Sequence, residues 1–463
     1  MSKNQHGAAF YLVFFYLKGY DGNVHFYASV QKKEGARMRP FTAADILLPG
    51  PQADLSAWAV LACDQFTSTP AYWQQVQAAR EGKPSALDII LPECYLEKPD
   101  TPARIEAIHA NMKEAAQKVL GRCVHGFVYV ERTTQSGVRR GLVGAVDLEA
   151  YSYRAGAAPL VRPSEATVAA RIPPRLAVRR GAVLESPHIM MLMDDAPLDI
   201  LGSLAAEKAQ LVKLYDTPLM LGGGRVAGWA VTEPKALEAL EKAVENLAQP
   251  EVFQKKYPGA ATAPFALAVG DGNHSLATAK AYWEELKPTL SQEERQTHPA
   301  RFCLAEVCSI SSPALQVEPI HRAVFGIEPG EFFRAFEAFL REQGALAPQS
   351  GAQPFCVLGK DGKPVGTLCA NGAVHPLAVG TLEAFLGVLC AQRAGVRVDY
   401  IHGEATLRAL SAREGAVGVL LPPFEKRDLL RGVAEGGVLP KKTFSMGGAE
   451  EKRYYMECRR IAP

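Results

Sequence analysis

The 463-residue chain carries 51 Lys and Arg against 49 Asp and Glu, a net charge of +2, with 48% hydrophobic and 22% charged residues. Those proportions exclude a disordered chain, and the balance of charge, with no long run of one sign, argues against a nucleic-acid stripe or a membrane-binding face. The expected partner is a small anionic molecule, and the length fits two or three domains or one two-lobed body. Nine scattered cysteines form no C-x-x-C pair, so reduced thiols in a cytoplasmic protein are expected, with neither a zinc nor a haem site.

Near the start, "AAFYLVFFYLK" from Ala8 is too short to span a bilayer, which takes about 20 residues, and no small-x-small cleavage site follows it. Residues 1–37 are read as an N-terminal extension ahead of "MRPFTAADILLPG" at Met38. The spacing of Ile105, Ile108, Met112, Ala115 and Val119 predicts a helix ending on Gly121. "HGFVYVERTTQSGVRRGLVGAVDL" predicts a hairpin. "RIPPRLAVRR", with Arg171, Arg175, Arg179 and Arg180, is the one candidate basic face. After the strand "HIMMLMDD", Asp195 and Pro197 predict a helix cap and first turn; Asp194 and Asp195 can also bind a divalent cation, with capping preferred. "LYDTPLMLGGGRVAGWAV" predicts a hairpin around Gly222 to Gly224.

"FALAVGDGNHSLATAKAYWEEL", Phe265 to Leu286, reads as a buried strand, a glycine turn and a helix with Leu276, Ala279, Trp283 and Leu286 on one face. Asn273 to Ser275 fall where the helix begins, and unpaired N–H groups there attract anions. Gly270 and Gly272 permit a sharp turn and the close approach of a ligand. Asp271 can orient His274, bind a metal or take a hydroxyl proton, and His274 can shuttle a proton near neutral pH. The structural alternative is that Asp271 and Ser275 cap the helix and His274 packs beneath it.

A division near residue 300 is expected, giving 38–300 with the turn and 301–463 beyond it. In the second part, "LQVEPIHRAVFG" places His321 and Arg322 after Pro319, residues able to hold and protonate an anion, although a lone His-Arg pair is more often a surface or packing feature. "GVLPKKTFSMGG" adds Lys441 and Lys442, which can hold an anion or form a solvated loop. "RVDYIHGEATLRALS" and "VGVLLPPFEKRDLLRGV" each read as strand, loop and helix. Alternating elements with interspersed hairpins predict an α/β to α+β fold, mixed sheets with flanking helices.

Seven blocks in order, "WAVLACDQFTS", "VRPSEATVAARIPPRLAVRR", "SPHIMMLMDD", "GDGNHSLATAK", "VEPIHRAVFG", "VDYIHG" and "LPKKTFSMGG", resemble the family called domain of unknown function 1015 (DUF1015), from about Arg39 to near the C-terminus. In that family the turn resembles Asp-Gly-His-His-Arg. Here it is Asp271, Gly272, Asn273, His274 and Ser275, so an amide replaces one imidazole and a hydroxyl replaces the guanidinium, which leaves the backbone and His274 to meet an anion. Pro319, Ile320, His321 and Arg322 match the family's Pro-x-His-Arg element without departure. The turn is also similar to one in the ParB-like and sulfiredoxin-like fold, which includes a free-serine kinase and CTP-using partition proteins; that likeness implies such an element around residues 263–290.

Together these resemblances imply phosphoryl transfer or phosphate-ester chemistry on a small hydroxylated metabolite of the serine or phosphoserine kind. Gly272, Asn273, Ser275, Lys441 and Lys442 would surround phosphate, Asp271 or His274 would handle the proton, and His321 and Arg322 would face developing charge. ATP or another nucleotide with Mg²⁺ is the implied cofactor. The alternative is a ParB-like module that binds nucleotide, or associates with nucleic acid, without turnover. Metal ligands and oligomeric state are left unassigned.

Overall fold

The computed structural model describes residues 39–67, 69–154, 156–348 and 353–463; the N-terminal extension lies outside them. The fold is a mixed α/β one, with two main sheets and flanking helices. The expected hairpin forms from Arg122–Thr134 and Gly137–Asp147, paired from Val128 opposite Val143 to Thr134 opposite Gly137. Successive side chains on a strand alternate between faces. Val128 and Val130 accordingly enter one core with Val143 and Leu304, while Phe127 and Tyr129 enter another with Leu142 and Trp283. A sheet covered on both faces explains why its strands read as continuous apolar runs.

Ten strands make up this sheet. From one edge the order is Val161–Arg162, Leu267–Asp271, Met190–Met193, Phe302–Ser309, the hairpin's second and first strands, Arg225–Val231 and Val212–Pro218. Phe41–Thr42 and Ala44–Leu48 extend it alongside the hairpin. The second sheet has six strands, all antiparallel, with Val317–Phe325 between Arg397–His402 and Ala416–Leu420.

A division at residue 300 and the strand pairing do not coincide. Phe302–Ser309 runs in the first sheet, parallel to Met190–Met193 and antiparallel to the hairpin, with Leu304 entering one core and Cys303, Ala305 and Val307 the other. Sheet membership changes between Ser309 and Val317. The C-terminal tail then returns to the first body, where Tyr454–Tyr455 pairs with Val60–Leu61 and Arg459–Arg460 with Leu184–Glu185. Buried ion pairs anchor it: Arg453 meets Glu306 at 3.0 Å and Glu457 at 2.6 Å, and Arg459 meets Glu185 at 2.9 Å. Charges this deep are tolerated only when paired.

The helix expected after Asp195 and Pro197 begins later, at Ile200, with Asp199 as its cap accepting the Gly202 N–H. Asp195 still takes the Ile200 N–H at 2.8 Å. Asp194 faces elsewhere, accepting from the Tyr257 hydroxyl at 2.8 Å and pairing with Lys256 at 3.4 Å, so the two carboxylates do not converge on a cation. Among the described residues no helix is long and apolar enough to cross a membrane.

Candidate functional site

The strand Leu267–Asp271 slips register against Met190–Met193 between Val269 and Asp271, which gives Gly270 the extra place. A Cβ at Gly270 would lie 2.8 Å from Leu192 Cγ. Gly272, at φ +81°, then turns the chain into the helix Asn273–Leu286, and a Cβ there would lie 3.1 Å from Ile189 Cα. Both positions exclude side chains, and the second also needs left-handed backbone.

The helix has no side-chain cap. Leu276 is the first residue to donate back, to the Gly272 carbonyl at 3.0 Å, and the N–H groups of Asn273, His274 and Ser275 have no protein acceptor among the described residues. All five turn residues are half-buried, so the corner is not sealed. Asp271 pairs with Lys452 at 3.2 Å, and the Ser275 hydroxyl lies 3.4 Å from His188 Nε2. Neither acts as the cap that the structural alternative requires.

The segment from Ser164 to Val168 forms one wall. Ser164 Oγ accepts from Asn273 Nδ2 at 3.2 Å, leaving Asn273 Oδ1 without a protein donor among the described residues. The Val168 N–H donates to His274 Nε2 at 3.3 Å, an arrangement that needs a lone pair on Nε2 and so puts the proton of the neutral ring on Nδ1. Partial burial, reinforced by Arg171, Arg175 and Lys442, lowers the His274 pKa to about 4. The ring is therefore held in its neutral form at neutral pH. Half-buried Glu165 accepts the Thr443 N–H at 3.1 Å, and burial, with Asp271 nearby, raises its pKa.

Cations border the same corner. Arg171 and Arg175 lie at the start of the helix Ile172–Arg179, which packs on the Asn273–Leu286 helix through Ile172, Leu176 and Ala277. Arg175 also pairs with Glu93, Arg179 with Glu185 and Arg180 with Glu285, at 2.5, 2.6 and 2.6 Å. "RIPPRLAVRR" is thus not a free basic face. Arg171 and Lys442 carry no ion pair among the described residues. His402, at the end of a second-sheet strand, feels Lys442, Lys452 and Asp271, with burial the main cause of its lowered pKa.

The remaining expected residues are placed differently. Arg322 is fully buried: Nε donates to Glu383 at 2.7 Å, Nη1 to the Ile320 carbonyl and Nη2 to the Lys442 carbonyl at 3.0 Å, with the Tyr400 ring 4.5 Å away. It holds the backbone of Lys442, whose φ is +54°, and has no face left for a phosphate. His321 is buried and accepts the Leu421 N–H at 3.2 Å. Lys441 lies over the Tyr400 ring at 5.8 Å. The fold thus groups Asp271, Gly272, Asn273, His274, Ser275 and Lys442, and uses Arg322 behind them.

Asp64, Glu165, His188, His402, Lys452 and Tyr455 also belong to this region and were not singled out by sequence. The first four stand inside the sequence blocks quoted above, the only signal that could have found them; Lys452 and Tyr455 carry none. A separate cavity of about 450 Å³, lined by Trp73, Ile90, Leu91, Tyr95, Arg104 and Ile108 among others, includes none of these residues.

No curated protein matches the chain. Among solved structures it is similar to a conserved hypothetical protein from Pyrococcus furiosus, at 10% identity over 69% of this chain and 94% of that one, with a TM-score of 0.33. It is also similar to a mutant free serine kinase in complex with AMP, at 10% identity over 68% and 91%, TM-score 0.35. A third is SbnI with C-terminal truncation from Staphylococcus aureus, at 13% identity over 59% and 85%, TM-score 0.25. Residues 38–388 match the family described as "Protein of unknown function (DUF1015)". With most of its length inside that match, the chain belongs to the DUF1015 family.

Proposed function

We propose that the protein catalyses phosphoryl transfer or phosphate-ester chemistry on a small hydroxylated metabolite, with a nucleotide as phosphate partner. One observation carries this reading: three unpaired amide N–H groups open a 14-residue helix beside Arg171, Arg175, Lys442 and Lys452. Unpaired N–H groups at the positive end of a helix dipole, flanked by cations, are the donors a phosphate needs. Because the transferred phosphoryl group spreads its charge over its oxygens, fixed donors supply most of the catalysis.

His274, kept neutral, would donate through Nδ1. Glu165, whose carboxyl burial makes a better proton acceptor than an ordinary carboxylate, would exchange a proton with a hydroxyl. Asp271, held by Lys452, would fix the charge balance beside it. The Mg²⁺ that accompanies a nucleotide would be held by its phosphate oxygens. Isothermal titration with ATP, ADP, CTP and phosphoserine tests the reading: at least one should bind, and silence from all four removes it. The alternative of a nucleic-acid-associated module gains nothing from the paired arginines of "RIPPRLAVRR".

A further inference from the structure

Beside the first turn of the Asn273–Leu286 helix, a chain of polar groups runs from the C-terminal tail to Ser275. Tyr455, 2% exposed, accepts the Cys63 N–H at 3.1 Å and lies 2.7 Å from His188 Nδ1. The two rings meet edge to face, with centroids 5.7 Å apart. His188, 3% exposed, presents Nε2 to two groups, Asp64 Oδ2 and Ser275 Oγ, each at 3.4 Å. Gln65 donates to the other Asp64 oxygen at 2.9 Å. The Asp64 side chain is nevertheless 25% exposed, and its charge reaches His274 and Lys452.

A carboxylate has about four lone-pair sites, and the contacts described use two of them. A fixed negative charge beside an anion seat repels a ligand that is only an anion. It favours a ligand that brings a hydrogen-bond donor to the same place, and so acts by rejection as well as attraction. We propose that Asp64 accepts the hydrogen bond of a ligand hydroxyl next to the bound phosphate, and that His188 and Tyr455 are the positioning residues that hold it there. This rests on reading the turn as a phosphate site. The electrostatics agree: burial opposes the Asp64 charge, but the His188 imidazole and its hydrogen bond outweigh burial and hold the carboxyl below the usual range. Such buried, mutually oriented polar groups are stiff, which lets one oxygen select a donor at a set distance from the phosphate.

The test is titration of the full chain with methyl phosphate and with glycerol 3-phosphate, which share the phosphate ester and differ in hydroxyl groups. The wild type should bind glycerol 3-phosphate about tenfold more tightly, the scale of a hydrogen bond to a charged group. Asp64→Asn, which keeps an acceptor oxygen but loses its charge, should shrink that preference and leave methyl phosphate affinity unchanged or raised. Tyr455→Phe should reduce the same ratio about threefold with methyl phosphate unaffected, a split that a merely destabilised protein does not produce. Methyl phosphate binding with no preference for glycerol 3-phosphate overturns the proposal and leaves the phosphate site standing, even where neither variant folds. An unchanged ratio in Asp64→Asn does the same. No binding of either probe, nor of ATP, to the wild type overturns both.

Discussion

At Asn273, His274 and Ser275 the chain leaves three amide hydrogens without a protein acceptor among the described residues, in a half-buried corner. At Arg322, also beside a histidine in a short polar motif, all three guanidinium nitrogens are donating and the side chain is wholly buried. In sequence both stretches can bind an anion, the turn being the stronger candidate and the His-Arg pair the one more often used in packing. What separates them is where their hydrogen bonds go: a wholly buried group with every nitrogen donating to the protein holds the fold, and a half-buried group with donors left over can meet a ligand. The two are also linked, since Arg322 grips the carbonyl of Lys442, whose charge reaches His274.

The largest effect that would sharpen this contrast is Arg322→Ala. It strands Glu383 and two backbone carbonyls, and removing one partner of a buried charged pair typically costs about 3–5 kcal/mol. Urea denaturation should show a loss on that scale. His274→Ala should cost below about 1 kcal/mol, since only the weak Val168 contact is lost. Equal losses would erase the distinction between a structural and a ligand-facing motif.

Gly272→Ala comes next. The substitution forces a side chain into left-handed backbone, at about 1–3 kcal/mol, and sets a Cβ 3.1 Å from Ile189 Cα. The expected outcome is a moderate drop in melting temperature together with loss of ATP binding, because the amides that follow would be re-aimed. A variant that melts early yet binds ATP as the wild type does would show that the turn is not the seat.

How far the sequence showed these differences follows from the range of each interaction. The strand, turn and helix from Phe265 to Leu286 were legible because periodicity and glycine act locally. The long hairpin was legible for the same reason. That Phe302–Ser309 enters the first sheet was not, because "FCLAEVC", mostly apolar, suits a central strand of either sheet, and the arginine that pairs with its Glu306 lies 147 positions away. The fate of Arg322 was hidden because its partners Glu383 and Lys442 lie 61 and 120 positions away. Lys452 and Tyr455 were hidden because only the return of the tail beside Val60–Leu61 brings them to the turn.

Smaller effects come from the free cations. Arg171→Ala and Lys442→Ala should each weaken ATP binding about fivefold to tenfold at low salt, less at high salt where exposed charges are screened, with the melting temperature unchanged. Arg180→Ala is the control, since its exposed partner Glu285 stands at the far end of the helix that the turn opens; it should change neither quantity. A loss of affinity in the control equal to that in the other two would mean that net charge, not the corner, draws the nucleotide.

At neutral pH neither affinity nor stability reports on proton uptake, where His274 and His188 have opposite signs. The folded His274 pKa is lowered to about 4 from 6.5, by burial and then by its cationic neighbours. Below pH 6.5 the unfolded chain takes up a proton that the folded imidazole refuses, so this residue's contribution to stability falls as pH drops from about 6.5 toward 4. For His188 burial is outweighed by Asp64 and the pKa is raised; its contribution is complete below about 6.5 and is lost as pH climbs through the folded value. Histidine NMR should show the His274 ring signals flat from pH 8 to about 5, while those of His188 remain at cationic positions across neutrality. If His274 instead titrates near 6.5, the corner is open water rather than a half-dry seat, and the neutral donor assigned to it there is lost.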